Sequence, residues 1–432
     1  MTTYRFLSTS LALVVGCSSG VGCDDDGAAA GLTDTTETTD APDTSVANDS
    51  AEPPDTTEPQ PKFPPPAEGV LETIEPGGEA ICSRGTPYRF FAFGGDPKRL
   101  VLDFEGGGAC WDELTCSVAG AIFAEEAAKT EDIESVRDHP DLGGMYRLDD
   151  AANPLDGWSL VHIPYCTGDV HWGDAIHKYT DDNTIHHRGK RNVQAVLAWV
   201  ADRYPAPETI FVTGCSAGAY GAIGYASWIA ERWPDADVRV LADSGAGIIT
   251  ETFFADSFPN WNALPTLQEN LPALGEVSID TINIKDLYIA TAQAYPNMRI
   301  GQYNSTFDKD QTFYYSVMGG GSDWSQRMQS TVAGISAVAS NFRSYQAPGQ
   351  IHCIHPYRFF YERESGPTAA PIDYVTWLDE FINGAALPAS VACDETSCLQ
   401  DSVCDACAAS ATPTDGPVCR WCAGWPLETV QP

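Results

Sequence analysis

The chain has 432 residues and a formal net charge of −36. An acidic excess of that size excludes binding to nucleic acid or to an anionic membrane surface through charge. The excess is uneven, because residues 24–60 hold eleven Asp or Glu and no Lys or Arg.

The first 23 residues, MTTYRFLSTSLALVVGCSSGVGC, carry one Arg, a short apolar run and then small residues. That order reads as an export signal, too short to span a bilayer as a mature helix. Within it VVGC resembles a bacterial lipobox. Cys17 is therefore expected to take a lipid, which is the only expected contact with a membrane. Cleavage and full secretion is the alternative, and Cys23 competes for the role. Residues 24–61, rich in Thr and Pro and without apolar periodicity, cannot bury enough surface to offset ordering, so a disordered tether is expected. Localisation follows as exported: the bacterial cell envelope or the extracellular space.

Residues 62–387 have ordinary, aromatic-rich composition and suffice for one catalytic domain. Strands are expected at 88–93 (YRFFAF), 99–106 (RLVLDFEG), 158–166 (WSLVHIPYC), 209–214 (TIFVTG) and 238–243 (VRVLAD). Helical spacing appears at 191–204, 219–233, 284–295, 324–341 and 373–384, with extended segments at 298–306 and 342–349. Strand and helix alternation of this kind implies an α/β fold: a mostly parallel sheet with helices on both faces and reactive groups at the carboxyl ends of strands. Residues 388–432 contain six of the fourteen cysteines and read as a separate small module. In an exported chain these favour disulfides over a zinc ribbon, although Cys404-x-x-Cys407 and Cys419-x-x-Cys422 have ribbon spacing. Cys110 and Cys116 are close enough to close a small loop, and Cys215 is expected to brace its turn through a disulfide.

Gly214-Cys215-Ser216-Ala217-Gly218 fits G-x-S-x-G between an expected strand and an expected helix. A sharp turn there lifts a serine into reach of substrate, and small neighbours let strand and helix approach. A serine needs a base, and the chain order nucleophile, acid, histidine is restrictive. Of eight histidines only His352 and His355 follow Ser216. His352, in a loop just past a strand end, is the expected base, and His355 supports it. Asp308 is the expected acid and Asp243 its competitor, with Asp310 expected to be solvated. Gly106-Gly107-Gly108 lacks the G-x-G-x-x-G pattern or the Lys of a phosphate loop. The N–H groups of Gly107, Gly108 and Ala217 are therefore assigned to an oxyanion hole.

EGGGACW, PYCTGDVHWGD, GCSAGAYG, ADSGAG, STFDKDQ and APGQIHC, in this order from about residue 80 to 382, resemble the pectin acetylesterase/Notum family of secreted serine esterases. The resemblance implies an α/β-hydrolase fold with Ser216 as nucleophile, Asp308 as acid and His352 as base, so it favours Asp308 over Asp243. In the family a Trp directly follows the glycines; here Ala109 and Cys110 precede Trp111, so a different wall of the pocket beside the oxyanion hole is expected. Trp111, Asp169, His171 and Trp172 are candidates for substrate contact, a disulfide-pinned structural loop being the alternative for 164–174. The expected activity is hydrolysis of acyl esters, foremost acetyl, on a small molecule or a polysaccharide such as pectin. No cofactor or metal is called for, and a monomer is expected. A deacylase of longer chains, an inactive scaffold turned to adhesion and a peptidase are the rival readings.

Overall fold

The computed structural model describes residues 59–117, 122–366, 371–393, 397–410 and 418–424. The expected export signal, Cys17 and nearly all of the expected tether lie outside them. Ten strands occur among the described residues: β1 Leu71–Ile74, β2 Phe90–Phe93, β3 Asp96–Phe104, β4 Trp158–Ile163, β5 Ala175–Thr180, β6 Asn183–His187, β7 Thr209–Cys215, β8 Asp237–Asp243, β9 Arg299–Ser305 and β10 Phe342–Ala347. Eight form one sheet in the order β1-β2-β4-β3-β7-β8-β9-β10. β1 and β2 run antiparallel, and from β4 to β10 every neighbouring pair is parallel. The first and second expected strands, β2 and β3, are adjacent in sequence but not in space, since β4 inserts between them.

Both faces of the sheet are covered, which explains why its central strands are continuous apolar runs. In β3, Leu100, Leu102 and Phe104 belong to one core cluster and Val101 to the other, following the two-residue period of a strand. The helices Gly189–Arg203 and Ala217–Arg232 close the first face through Val193, Val196, Leu197 and Ile223. Helix Tyr374–Asn383 closes the second through Tyr374, Trp377, Leu378 and Phe381. No helix among the described residues is long and apolar enough to cross a membrane.

From residue 59 onward the described residues form one compact unit. The cysteine-rich segment, expected to stand apart, is packed into it. Val391 exchanges backbone hydrogen bonds with the edge strand β10, donating to Ser344 and accepting from Gln346. Cys404, Cys407 and Cys422 join the second core, and Arg363 meets Asp401 in a fully buried ion pair at 3.1 Å. The reason is physical: with few apolar residues of its own, so short a segment gains more by covering the body than by standing alone. Twelve described cysteines make six disulfides, Cys82–Cys166, Cys110–Cys116, Cys215–Cys353, Cys393–Cys398, Cys404–Cys422 and Cys407–Cys419. The ribbon-spaced cysteines are thus paired with one another, and the set fits an extracellular protein.

Candidate active site

β7 is paired in parallel on both sides, by β3 and β8, so its carboxyl end lies mid-sheet. Ser216 follows directly, with φ 56° and ψ −120°, and the helix Ala217–Arg232 starts at the next residue. This left-handed turn is held by the Ser216 N–H, which donates to the Asp243 carbonyl at 2.9 Å. It also requires Gly218, where a Cβ would come within 1.8 Å of the Phe104 carbonyl oxygen. The glycine loop after β3 lies against the same turn, since a Cβ on Gly106 would stand 2.6 Å from the Cys215 carbonyl oxygen and 3.0 Å from the Ser216 Cβ. The N–H groups of Gly107, Gly108 and Ala217 are left unused by the backbone hydrogen bonds of the described residues. The last of them sits at the positive end of a helix.

Asp308 and His352 are brought together by β9 and β10, neighbours at the sheet edge. The His352 Nδ1 lies 2.9 Å from each carboxylate oxygen of Asp308. Asp308 also caps the helix Lys309–Val317, accepting from the Gln311 N–H at 2.9 Å and from the Gln311 side-chain amide at 3.0 Å. A carboxylate that only accepts fixes the proton on Nδ1 and leaves Nε2 free to act as a base. Burial opposes a charge on His352, but Asp308, with Asp310 and Asp243 behind it, outweighs that and pushes the imidazole up to about 9. Asp310 is half-buried rather than solvated, and burial pushes its carboxyl up to about 6.

Asp243 is not against the base ring of His352. Its Oδ2 accepts from the N–H groups of Ile354 and His355 at 2.9 and 3.0 Å, tying down the loop that carries His352. His355 is buried behind it, with Nε2 2.9 Å from the Tyr374 hydroxyl, and burial depresses its pKa. The Cys215–Cys353 disulfide adds a covalent link from the residue before the serine to the residue after the histidine, closing a sequence separation of 138. Replacing both cysteines by Ala is expected to cost about 2–5 kcal/mol of stability and to slow any chemistry needing both loops in register. A thermal melt beside an activity assay measures both effects.

Ser216, His352, Gly108 and Ala217 open on one cavity, which leaves about 70 Å³ to the centre of a water molecule. Its far wall is apolar, with Ile248, Phe253, Phe254, Trp261, Met318 and Trp324. Of the four candidates for substrate contact, Trp172 lines it, together with Val170. Trp111 stands behind the wall, edge-on to Phe253 at 5.1 Å. Asp169 and His171 are buried fasteners of the loop and not contact residues. Asp169 accepts from Thr167 Oγ1 at 2.6 Å and from the Gly189 N–H at 2.9 Å, and burial pushes its pKa to about 6. His171, held neutral by burial with its pKa near 4, donates from Nε2 to the Glu105 carbonyl at 2.9 Å, at the start of the glycine loop. An alternating apolar–polar run would have marked neither as inward-facing, because both sit in a turn with positive φ at Val170 and His171.

The sequence model of the family described as Pectinacetylesterase matches residues 71–317, more than half of the chain. The chain belongs to the pectinacetylesterase family. This makes it a hydrolase of esters. The matched span includes the glycine loop, Ser216 and Asp308, whereas His352 and the cysteine-rich segment lie beyond it. The crystal structure of the Wnt deacylase Notum from Drosophila is similar in fold, with a TM-score of 0.51 at 16% identity, over 75% of this chain and 96% of that one. No curated protein matches the sequence.

Several residues of the candidate site escaped sequence reasoning. Gln311 was signalled only weakly, as the third residue after a capping Asp. The aromatic wall comes from helix Phe253–Trp261, whose Pro259 and dense aromatics blur any helical period. Among the described residues two His/Cys groups, Cys110-Cys116-His187 and Cys215-His352-Cys353, have metal-like proximity, but their sulfurs are consumed in disulfides.

Proposed function

We propose that the protein hydrolyses esters of a short to medium acyl group through an acyl-enzyme on Ser216. The observation that carries this reading is that Ser216, His352 and the glycine loop share one apolar cavity, with Asp308 hydrogen-bonded behind the imidazole. His352 Nε2 takes the Ser216 proton as Oγ attacks the ester carbonyl. Asp308 accepts from Nδ1, holds the tautomer and steadies the imidazolium. The developing oxyanion is received by the N–H groups of Gly107, Gly108 and Ala217. The alcohol leaves with the proton from His352, and water, deprotonated by the same histidine, then releases the acid.

The cavity supports an acyl group larger than acetyl. Its 70 Å³ of room for the centre of a water molecule is several times what one water needs, and with the apolar far wall this favours an acyl chain of several carbons. Each buried CH₂ adds about 0.8 kcal/mol, close to fourfold in kcat/KM when the contact persists in the transition state. Across p-nitrophenyl esters, kcat/KM should therefore rise from acetate through butyrate to about hexanoate and fall beyond it. A monotonic decrease from acetate would sink the longer-chain reading and leave acetyl, which the family name favours together with an acetylated polysaccharide such as pectin. On either reading the protein works as an exported single chain, held at Cys17 where that residue carries a lipid. An inactive scaffold is separated from both by a fluorophosphonate probe, which should label wild-type protein at Ser216.

A further inference from the structure

The cysteine-rich segment reaches the machinery assigned above. The Trp421 ring stands 5.9 Å from the His352 ring, and its Nε1 donates to the Tyr357 hydroxyl at 2.6 Å. Two carbonyls of the same turn are held by the base loop: the Gln350 side-chain amide donates to Trp421 at 2.7 Å and to Ala423 at 3.0 Å. The acid side is tied to it as well, because Lys309, next to Asp308, donates from Nζ to the Ala423 carbonyl at 3.1 Å. Cys404–Cys422 and Cys407–Cys419 fix the turn that carries Trp421. Further along the base loop, the Gly349 N–H donates to the Cys398 carbonyl at 2.9 Å.

We infer that the cysteine-rich segment is a clasp for the Asp308–His352 pair, with Trp421 as its positioning residue. The loops bearing acid and base follow β9 and the edge strand β10 and are fastened to each other, through Lys309 N–H to the Gln350 carbonyl at 3.1 Å. On their inner side the loops are tied to the serine turn by the Cys215–Cys353 disulfide and by Asp243; on the side of β10, among the described residues, this segment adds Val391 beside the strand and brings Trp421 beside His352. An imidazole pinned on one edge by Asp308 can still swing about that hydrogen bond. A large ring beside it, tilted by 59° with centroids 5.9 Å apart, limits the swing, and misplacement by about 1 Å costs up to about 100-fold in rate. The segment thus serves turnover rather than substrate recognition, and Trp421 is not among the residues lining the acyl cavity.

This inference rests on the esterase reading, so the experiment reads both. Wild type, Trp421→Ala, Trp421→Phe and Gln350→Leu are compared as full chains, by the rate of fluorophosphonate labelling, by kcat and KM on p-nitrophenyl butyrate and by thermal melting. Trp421→Ala should lower kcat and the labelling rate about tenfold with KM within about twofold, and Trp421→Phe should recover most of the loss. Gln350→Leu, which frees the same turn without touching the ring, should also lower kcat. Wild type that takes no label overturns the esterase reading. Labelled wild type with Trp421→Ala at the wild-type kcat overturns the clasp. Should Trp421→Ala fail to fold, Gln350→Leu decides, and an unchanged kcat there overturns it equally.

Discussion

Ser216→Ala is expected to reduce ester hydrolysis by about 10⁴-fold or more and to abolish fluorophosphonate labelling, while the melting temperature stays within about 2 °C of wild type. The first expectation follows because the other hydroxyls lining the cavity are committed elsewhere: Ser244 Oγ to Asp243 and the Cys353 N–H, the Tyr314 hydroxyl to the Ile122 carbonyl, and the Tyr220 hydroxyl to the Gly247 backbone. Residual rate would come only from the oxyanion donors and binding. The second follows from the geometry of the turn. A φ of 56° costs about 1–3 kcal/mol for a residue with a Cβ, and serine and alanine share that cost. The restraints that hold it, the Ser216 N–H bond to Asp243 and the neighbouring disulfide, do not involve the hydroxyl. Hydrolysis retained above about one per cent in purified Ser216→Ala would remove the serine from the mechanism.

Much of this was legible in the chain, and for definite reasons. TIFVTG is an unbroken β-branched and aromatic run because β7 is buried on both faces and both edges. The helix after Ser216 is legible from its small residues, which let it lie close on β3 and β7. The order of chemistry along the chain reduced eight histidines to two, and the loop after β10 selected between them. Asp243 was harder, because a carboxylate at a strand end looks the same whether it orients an imidazole or captures backbone N–H groups. Only the fold distinguishes these roles: the loop from Ile354 to His355 turns its amides toward Asp243 while the ring of His352 turns toward Asp308. The inward positions of Asp169 and His171 could not be read either, since polar residues in a loop normally face water and these are buried by bonds to distant backbone. The cysteine-rich segment was misjudged as separate because its composition differs from the body, whereas its partners, Gln350, Arg363 and Ser344, carry no local mark of what they bind.

Asp308→Asn is expected to lower kcat/KM by about 10³–10⁴-fold, and the reason lies in its two partners. Asp308 accepts from the Gln311 N–H and from His352 Nδ1. The backbone N–H of Gln311 cannot reverse, so the carboxamide oxygen of an asparagine stays in the Oδ1 position and its NH₂ takes the Oδ2 position, 2.9 Å from His352 Nδ1. Nδ1 must then accept, which places the ring proton on Nε2, where it points at Ser216 and disables the base. The charge change carries a second, separable signature. In wild type only the neutral imidazole can act, so activity should rise with pH as His352 deprotonates around 9. The carboxylates raise that value and burial lowers it, so removing one of them shifts the rising limb toward lower pH. Asp310→Asn tests the charge alone: it leaves the Asp308–His352 bond in place, so the limb should move acidward without the collapse in height. Asp308→Asn should show both. A pH–rate profile that is unmoved in both variants would mean that His352 is not the group whose proton gates the reaction.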